Sequence, residues 1–175
     1  DATATLQAAD LATLGGKTSA AVTVSNVQTI SGTIAALTAA LVTADTLVVT
    51  EGSDTITVTD ALATVAEINA INAATTGVTT ATLAADSLAN LGALTDKTGA
   101  TDNAYTITIN DVSTTAVNAT DLSTLGGKTS ATVTATNDLV ISGTIAALTA
   151  ALVTADTKVV AADSVVTVTD ALATV

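Results

Sequence analysis

The hexapeptide LGGKTS stands at Leu14–Ser19 and again at Leu125–Ser130, and it ends like a phosphate-binding loop. In a phosphate-binding loop, glycines let backbone N–H groups close around a phosphate while the following Lys reaches the outer phosphates. That pattern needs a glycine five residues before the Gly16-Lys17 pair, and the position holds Leu11. The order is inverted too, since a helical pattern precedes the motif and a strand pattern follows. Gly15 and Gly16 are therefore expected to end a helix and turn the chain.

Other chemistry finds less support. A Ser or Thr nucleophile needs a base, and without His the base would be Lys or a carboxylate. The chain has four lysines (Lys17, Lys97, Lys128, Lys158) among so many hydroxyls that proximity carries no information. Paired carboxylates could do acid/base work or glycoside hydrolysis. Aromatic residues to stack a sugar and Arg to hold an anion are missing, however. No catalytic residue and no enzyme activity is expected.

Oxygen ligands are the one metal-binding class in supply, which makes calcium the metal to consider. Asp60, Asp111, Asp138 and Asp170 each follow a strand pattern, yet no EF-hand loop or glycine-rich calcium nonapeptide is present. Helix caps or turns account for the same residues. No metal-binding or cofactor-binding residue is assigned, and calcium stays an alternative. A further alternative is an ice or surface binder using outward threonines at Thr57 and Thr59, Thr106 and Thr108, and Thr167 and Thr169. Thr also suits any solvated strand face. Asn118-Ala119-Thr120 matches a glycosylation sequon, a common signal.

The elements that would position such residues have a distinctive composition. The 175 residues include no Phe, Trp, Met, Cys, His, Pro or Arg, and one aromatic residue, Tyr105. Apolar residues still make up 49%, drawn from Ala, Val, Leu and Ile, so interior layers must be thin and built from small or β-branched groups. Sixteen acids against four lysines give a net charge of −12, which argues against a nucleic acid backbone or an anionic membrane as partner. Without Cys there are no disulfides or thiolate metal sites. Thr18–Ala44 is uncharged and long enough to span a bilayer, but it is rich in Thr and Ser, and its second copy carries Asn137 and Asp138. No membrane insertion is expected, and with no signal peptide at DATATLQAAD the chain reads as a mature form or an internal fragment.

The organisation is a repeat. ISGTIAALTAALVTADT runs from Ile30 to Thr46 and, letter for letter, from Ile141 to Thr157. DLATLGGKTSA from Asp10 matches DLSTLGGKTSA from Asp121, and TVTDALATV from Thr57 matches that from Thr167. The first two offsets are 111 residues and the third is 110. One residue has been lost between LVVTEGSDTI and KVVAADSVV, so this segment reads as a loop or hairpin tip. The domain expectation is a single array over 1–175, with one period at 10–120 and a truncated second at 121–175.

Each full period holds about four strand-helix units. Helix starts are expected at Leu11, Ile34, Leu62, Leu88, Leu122, Ile145 and Leu172, capped by Asp10, Ser31, Asp60 and Asp86 and again from Asp121. Alternating runs such as AVTVSN, TITVTD, YTITIND and VVTVTD read as strands. Val22, Val24, Ile56, Val58, Ile107, Ile109, Val166 and Val168 should point inward. Units of 23 to 34 residues are too small to bury their own faces, and stacking them gives a β/α solenoid of short parallel strands and short capped helices. The alternative is a string of small α+β domains of about 111 residues each.

Capped LxxL helices, GKTS turns, VTVTDA strands, verbatim repeats and an Ala/Thr/Val/Asp palette without sulfur together resemble the long repetitive surface proteins of bacteria, particularly cyanobacteria. The resemblance implies an extracellular, cell-surface location and a structural role as layer, fibre or adhesive stalk, with self-association as the partner expectation. It carries over no site residues.

Overall fold

The computed structural model describes residues 4–44, 48–50, 52–95, 103–157 and 159–170. Leu172, the expected seventh helix start, lies outside them. The chain divides into two compact units, Asp1–Leu83 with Thr95–Tyr105, and Ala84–Leu94 with Thr106–Val175. The division does not follow the start of the second sequence copy at Asp121. The fold is α/β, with a parallel sheet of seven strands, two smaller parallel sheets, and six α-helices among the described residues.

In the first unit the order along the chain is β1 (Thr5–Gln7), α1 (Ala8–Gly15), β2 (Val22–Thr23), β3 (Thr29–Gly32), α2 (Ile34–Leu41), β4 (Val48–Val49), β5 (Thr55–Val58), α3 (Val65–Asn72) and β6 (Thr79–Thr82). Its strands lie in the orders β1-β3-β5-β6 and β2-β4. Ile30 stands opposite Leu6 on one side and Ile56 on the other, and Ile56 stands opposite Thr79. The second unit contains α4 (Leu88–Leu91), β7 (Ala104–Ile109, its first two residues in the first unit), β8 (Ala116–Asn118), α5 (Ala119–Gly126), β9 (Val133–Ala135), β10 (Val140–Gly143), α6 (Ile145–Leu152), β11 (Val159–Val160) and β12 (Val165–Val168). The orders here are β7-β9-β11 and β8-β10-β12.

Strand register is more regular than the sequence steps. Opposed residues are separated by 26 positions for Ile30 and Ile56, 23 for Ile56 and Thr79, 26 for Ile107 and Val133, and 24 for Val117 and Ile141. The uneven expected steps therefore come from the connections and from misplaced helix starts. α1, α3 and α5 begin at Ala8, Val65 and Ala119 instead of Leu11, Leu62 and Leu122. The loop that changes length between copies carries Gly52 at φ +85° in one and Asp163 at φ +60° in the other. Both occupy the left-handed region, which Gly and Asp tolerate best.

The core is built chiefly from Ile, Leu, Val and Ala, with Tyr105 fully buried among them. Ile30, Leu37, Ile56, Ile68 and Ile71 fill the first unit, and Ile107, Leu122, Ile141 and Leu148 the second, each contributing roughly 1.5–3 kcal/mol by burial. Helix and strand approach closely at a glycine. A Cβ on Gly32 would sit 2.8 Å from that of Ala8, and one on Gly143 would sit 2.8 Å from that of Ala119. The uncharged stretch from Thr18 folds as β2, β3 and α2, and among the described residues no helix is long and apolar enough to cross a membrane.

Ile56, Val58, Ile107 and Ile109 are buried, as their alternation predicts, with Thr57 and Thr108 only half-buried. Val166 and Val168 are a correction, since they are 48% and 53% exposed. Their counterparts in β5 lie between β3 and β6, whereas among the described residues β12 pairs with β10 alone.

Candidate functional site

Three of the aspartates singled out as caps or calcium ligands, Asp60, Asp111 and Asp170, serve one purpose, and it is not the expected one. Asp60 does not cap the helix that follows it. Its Oδ2 accepts the N–H of Ile34, the first residue of α2, from the preceding strand-helix segment. Asp111 Oδ2 accepts from Leu88 N at 2.7 Å, and Asp170 Oδ2 from Ile145 N at 2.5 Å. Each carboxylate thus neutralises a free N–H and opposes the positive end of a helix 23 to 26 residues back. Asp138, the fourth, is exposed and contributes its carbonyl, which accepts from Thr114 N at 2.7 Å.

The local caps are hydroxyls. Thr33, Thr64, Ser87 and Thr144 occupy the N-cap positions of α2, α3, α4 and α6, each accepting from the third helical N–H. Asp10 and Asp121, expected as caps, sit within the first turns of α1 and α5, while Gln7 and Asn118 hold the N-cap positions without a side-chain cap bond. Ser31 lies in β3. Strand residues run directly into α1 and α5, so the Asp falls three positions inside the helix. Asn118 of the sequon makes a long contact from Nδ2 to Asp121 Oδ2 at 3.5 Å.

Two carboxylates are tuned by such bonds. Glu67 completes a capping box with Thr64, accepting from its hydroxyl at 2.6 Å and its N–H at 2.8 Å. Those two bonds, the hydroxyl first, hold its pKa below the ordinary carboxylate range. Asp86 is lowered chiefly by the Asn90 amide, 2.8 Å away, and then by Ser87 N–H.

The LGGKTS motif is also structural. Gly126 is buried, and a Cβ there would lie 2.1 Å from the Thr157 carbonyl oxygen, so only glycine lets the next segment pass. Lys128 Nζ donates to Gly92 O at 2.7 Å and Leu94 O at 2.6 Å, the carbonyls that follow α4. A cation is favoured at a helix C-terminus, where a phosphate would be repelled. The equivalent Lys17 is exposed, and its side chain makes no hydrogen bond among the described residues. Lys97 and Lys158 fall outside the description of side chains.

A row of buried polar groups that the sequence did not reveal runs through the first unit. Asp54 is fully buried, and its Oδ1 accepts from Gln28 N. Its Oδ2 has no hydrogen-bond partner among the described residues. Thr79 is also fully buried, its N–H donating to Asn103 Oδ1 and its hydroxyl to Asn72 Oδ1, both at 2.8 Å. The counterparts of Gln28 and Asp54 in the second unit are Leu139 and Ser164. Leu139 N donates to Ser164 Oγ at 3.0 Å, so the coupling bond persists without the buried charge.

Among the described residues no open site gathers reactive groups. The groove of about 490 Å³ along β8 is lined by Leu88, Gly92, Asp111, Val117, Asp121 and Leu125, and its Asp111 is already bonded to Leu88 N. Among the described residues no cluster of three or more His, Cys, Asp or Glu could hold a metal ion. What the arrangement can do is fasten one strand-helix segment to the next. The chain matches no family model, and neither a curated protein nor a solved structure matches it.

Proposed function

We propose that this chain is a non-enzymatic structural repeat protein of the cell exterior, a β/α solenoid whose stacked coils extend a surface layer, fibre or adhesive stalk. The observation that carries the reading is the near-constant separation of opposed strand residues together with side chains that cap or staple the neighbouring coil. Asp60, Asp111, Asp170 and Lys128, all in motifs that suggested chemistry, serve this coupling. In such an array, stability is a sum of coil and neighbour terms. The acidic surface resists aggregation and disfavours nucleic acid. No cofactor takes part, so a chelator leaves the melting temperature unchanged, and a chelator-induced drop would instead favour a calcium-stabilised adhesin.

The deciding experiment is small-angle X-ray scattering on chains carrying one, two and three 111-residue periods. A maximum dimension that grows by the same increment per period supports the stacked array. Independent, jointed domains would give broad distance distributions without a fixed increment. Leu37→Asp in the buried stripe should unfold the adjacent coils and Thr57→Ser should do little, and equal effects on melting would remove the inward and outward assignment.

A further inference from the structure

We propose that the free edge of β8, in the middle of the chain, takes up an extended basic peptide segment as an added strand. The inference goes beyond the structural-array reading and does not depend on it, since every residue it uses lies in the second unit.

β8 lacks a neighbour for a reason internal to the fold. β10 runs through one cap residue, Thr144, into α6, and β8 runs directly into α5, so each sets a strand immediately before a helix. The segment ahead of α4 does not. There Asp86 makes a single parallel bridge to Ile109 of β7, Ser87 caps, and the helix starts at Leu88. The strand that belongs beside β8 is therefore missing from the segment that leads into α4. β10 covers one side of β8, and among the described residues nothing pairs with the other.

The ladder to β10 identifies the groups left over. Val140 N donates to Thr115 O at 2.9 Å, and Val117 O faces the Ser142 hydroxyl at 3.5 Å. Alternate residues of a strand turn their peptide groups to opposite sides, so Ala116 and Asn118, both exposed, direct theirs away from β10. An unpaired edge of this kind is a template for another extended chain. At about 3.3 Å per residue the three residues of β8 offer about 10 Å of edge, and the groove of about 490 Å³ between α4 and β8 is where the added strand lies.

The walls of the groove select its occupant. Leu88, Val117 and Leu125 are buried and supply an apolar floor. Among the described residues the charged groups that line it are Asp111 and Asp121. Asp111 has its Oδ2 engaged by Leu88 N, and Asp121 Oδ2 has the long contact with Asn118. Lys128 is held by the carbonyls that follow α4 and does not line the groove. A segment in which Lys alternates with apolar residues satisfies backbone edge, floor and carboxylates together. A second copy of this chain, at a net charge of −12, is disfavoured there.

Amide NMR of the full chain titrated with the capped pentapeptide KVKVK tests this, beside EVEVE and a fully N-methylated KVKVK. KVKVK is expected to shift the Ala116 and Asn118 amide signals saturably. The methylated peptide, without the ladder donors, should bind about tenfold more weakly, and EVEVE should leave both signals in place. Ala116→Pro removes an edge donor and should abolish the shift at Asn118, with the fold checked by circular dichroism. Asp121→Asn, which leaves the backbone edge intact, should weaken KVKVK severalfold. Equal binding of the methylated peptide reduces the contact to ionic attraction and overturns strand addition. Equal binding of EVEVE overturns the basic occupant, and signals of Ala116 and Asn118 that never move overturn the site.

Discussion

The same eleven-residue motif, one letter apart, leads two different lives in this molecule. In the first unit, DLATLGGKTSA turns Leu14 and Lys17 toward solvent. In the second, DLSTLGGKTSA buries Leu125 and sets Lys128 against the carbonyls that follow α4. Nothing within the motif distinguishes them. What differs is whether another strand-helix segment lies alongside, so burial in this fold is decided by a residue's neighbour and hardly at all by its own identity. The opposite imbalance holds where the copies resume, with Ile56 and Val58 covered and Val166 and Val168 uncovered.

The largest effect should come from the leucine pair. Leu125→Ala should cost about 3 kcal/mol, within the range for emptying a buried leucine site, while Leu14→Ala should cost well under about 1 kcal/mol. Urea unfolding measures both, and equal costs would erase the contrast. Ile56→Ala against Val166→Ala repeats the comparison on the other face, with a difference of about 2 kcal/mol expected.

A smaller effect separates distant caps from local ones. Asp60→Ala and Asp111→Ala should each lose about 1 kcal/mol, like other N-cap removals. Hydrogen exchange should locate the loss at the start of α2 and α4, one segment before the mutated residue. Exchange confined to the mutated segment would show that the caps act locally after all. Lys128→Ala should lose roughly 0.5 kcal/mol and Lys17→Ala nothing measurable in thermal melts of the isolated chain.

The smallest expected change is with pH. Glu67 and Asp86 have folded-state pKa values below those of the unfolded chain. Their contribution is complete above the ordinary carboxylate range and lost as pH falls through the depressed values. Glu67→Gln should flatten the acid limb of a stability profile slightly, and an unchanged limb would show that the capping box is too exposed to matter.

Much of the fold was legible because it is written at short range. The alternation in TITVTD and YTITIND placed Ile56, Val58, Ile107 and Ile109 inside, and the verbatim repeat announced that segments share one shape. The caps were misread because Asp is as good a cap as Thr in isolation, and only the fold brings Asp60 to Ile34 rather than to its own helix. Lys128, Gly126 and Asp54 were unreadable for the same reason. Each is explained by a partner some 26 to 36 positions away, with no local sign of it. Asp54 falls in LVVTEGSDTI, which reads as a loop or hairpin tip, and the second copy carries Ser164 in its place.

The backward-reaching aspartates also impose an order in time. A helix such as α2 has its bonds to carbonyls four residues back and its Thr33 cap as soon as it is synthesised, but the N–H of Ile34 stays open until Asp60 has been made. On a ribosome, where domains form from the N-terminus as chain emerges, each segment would be latched only once its successor is nearly complete. The latch moves along the nascent chain like a ratchet, always one segment behind the growing end.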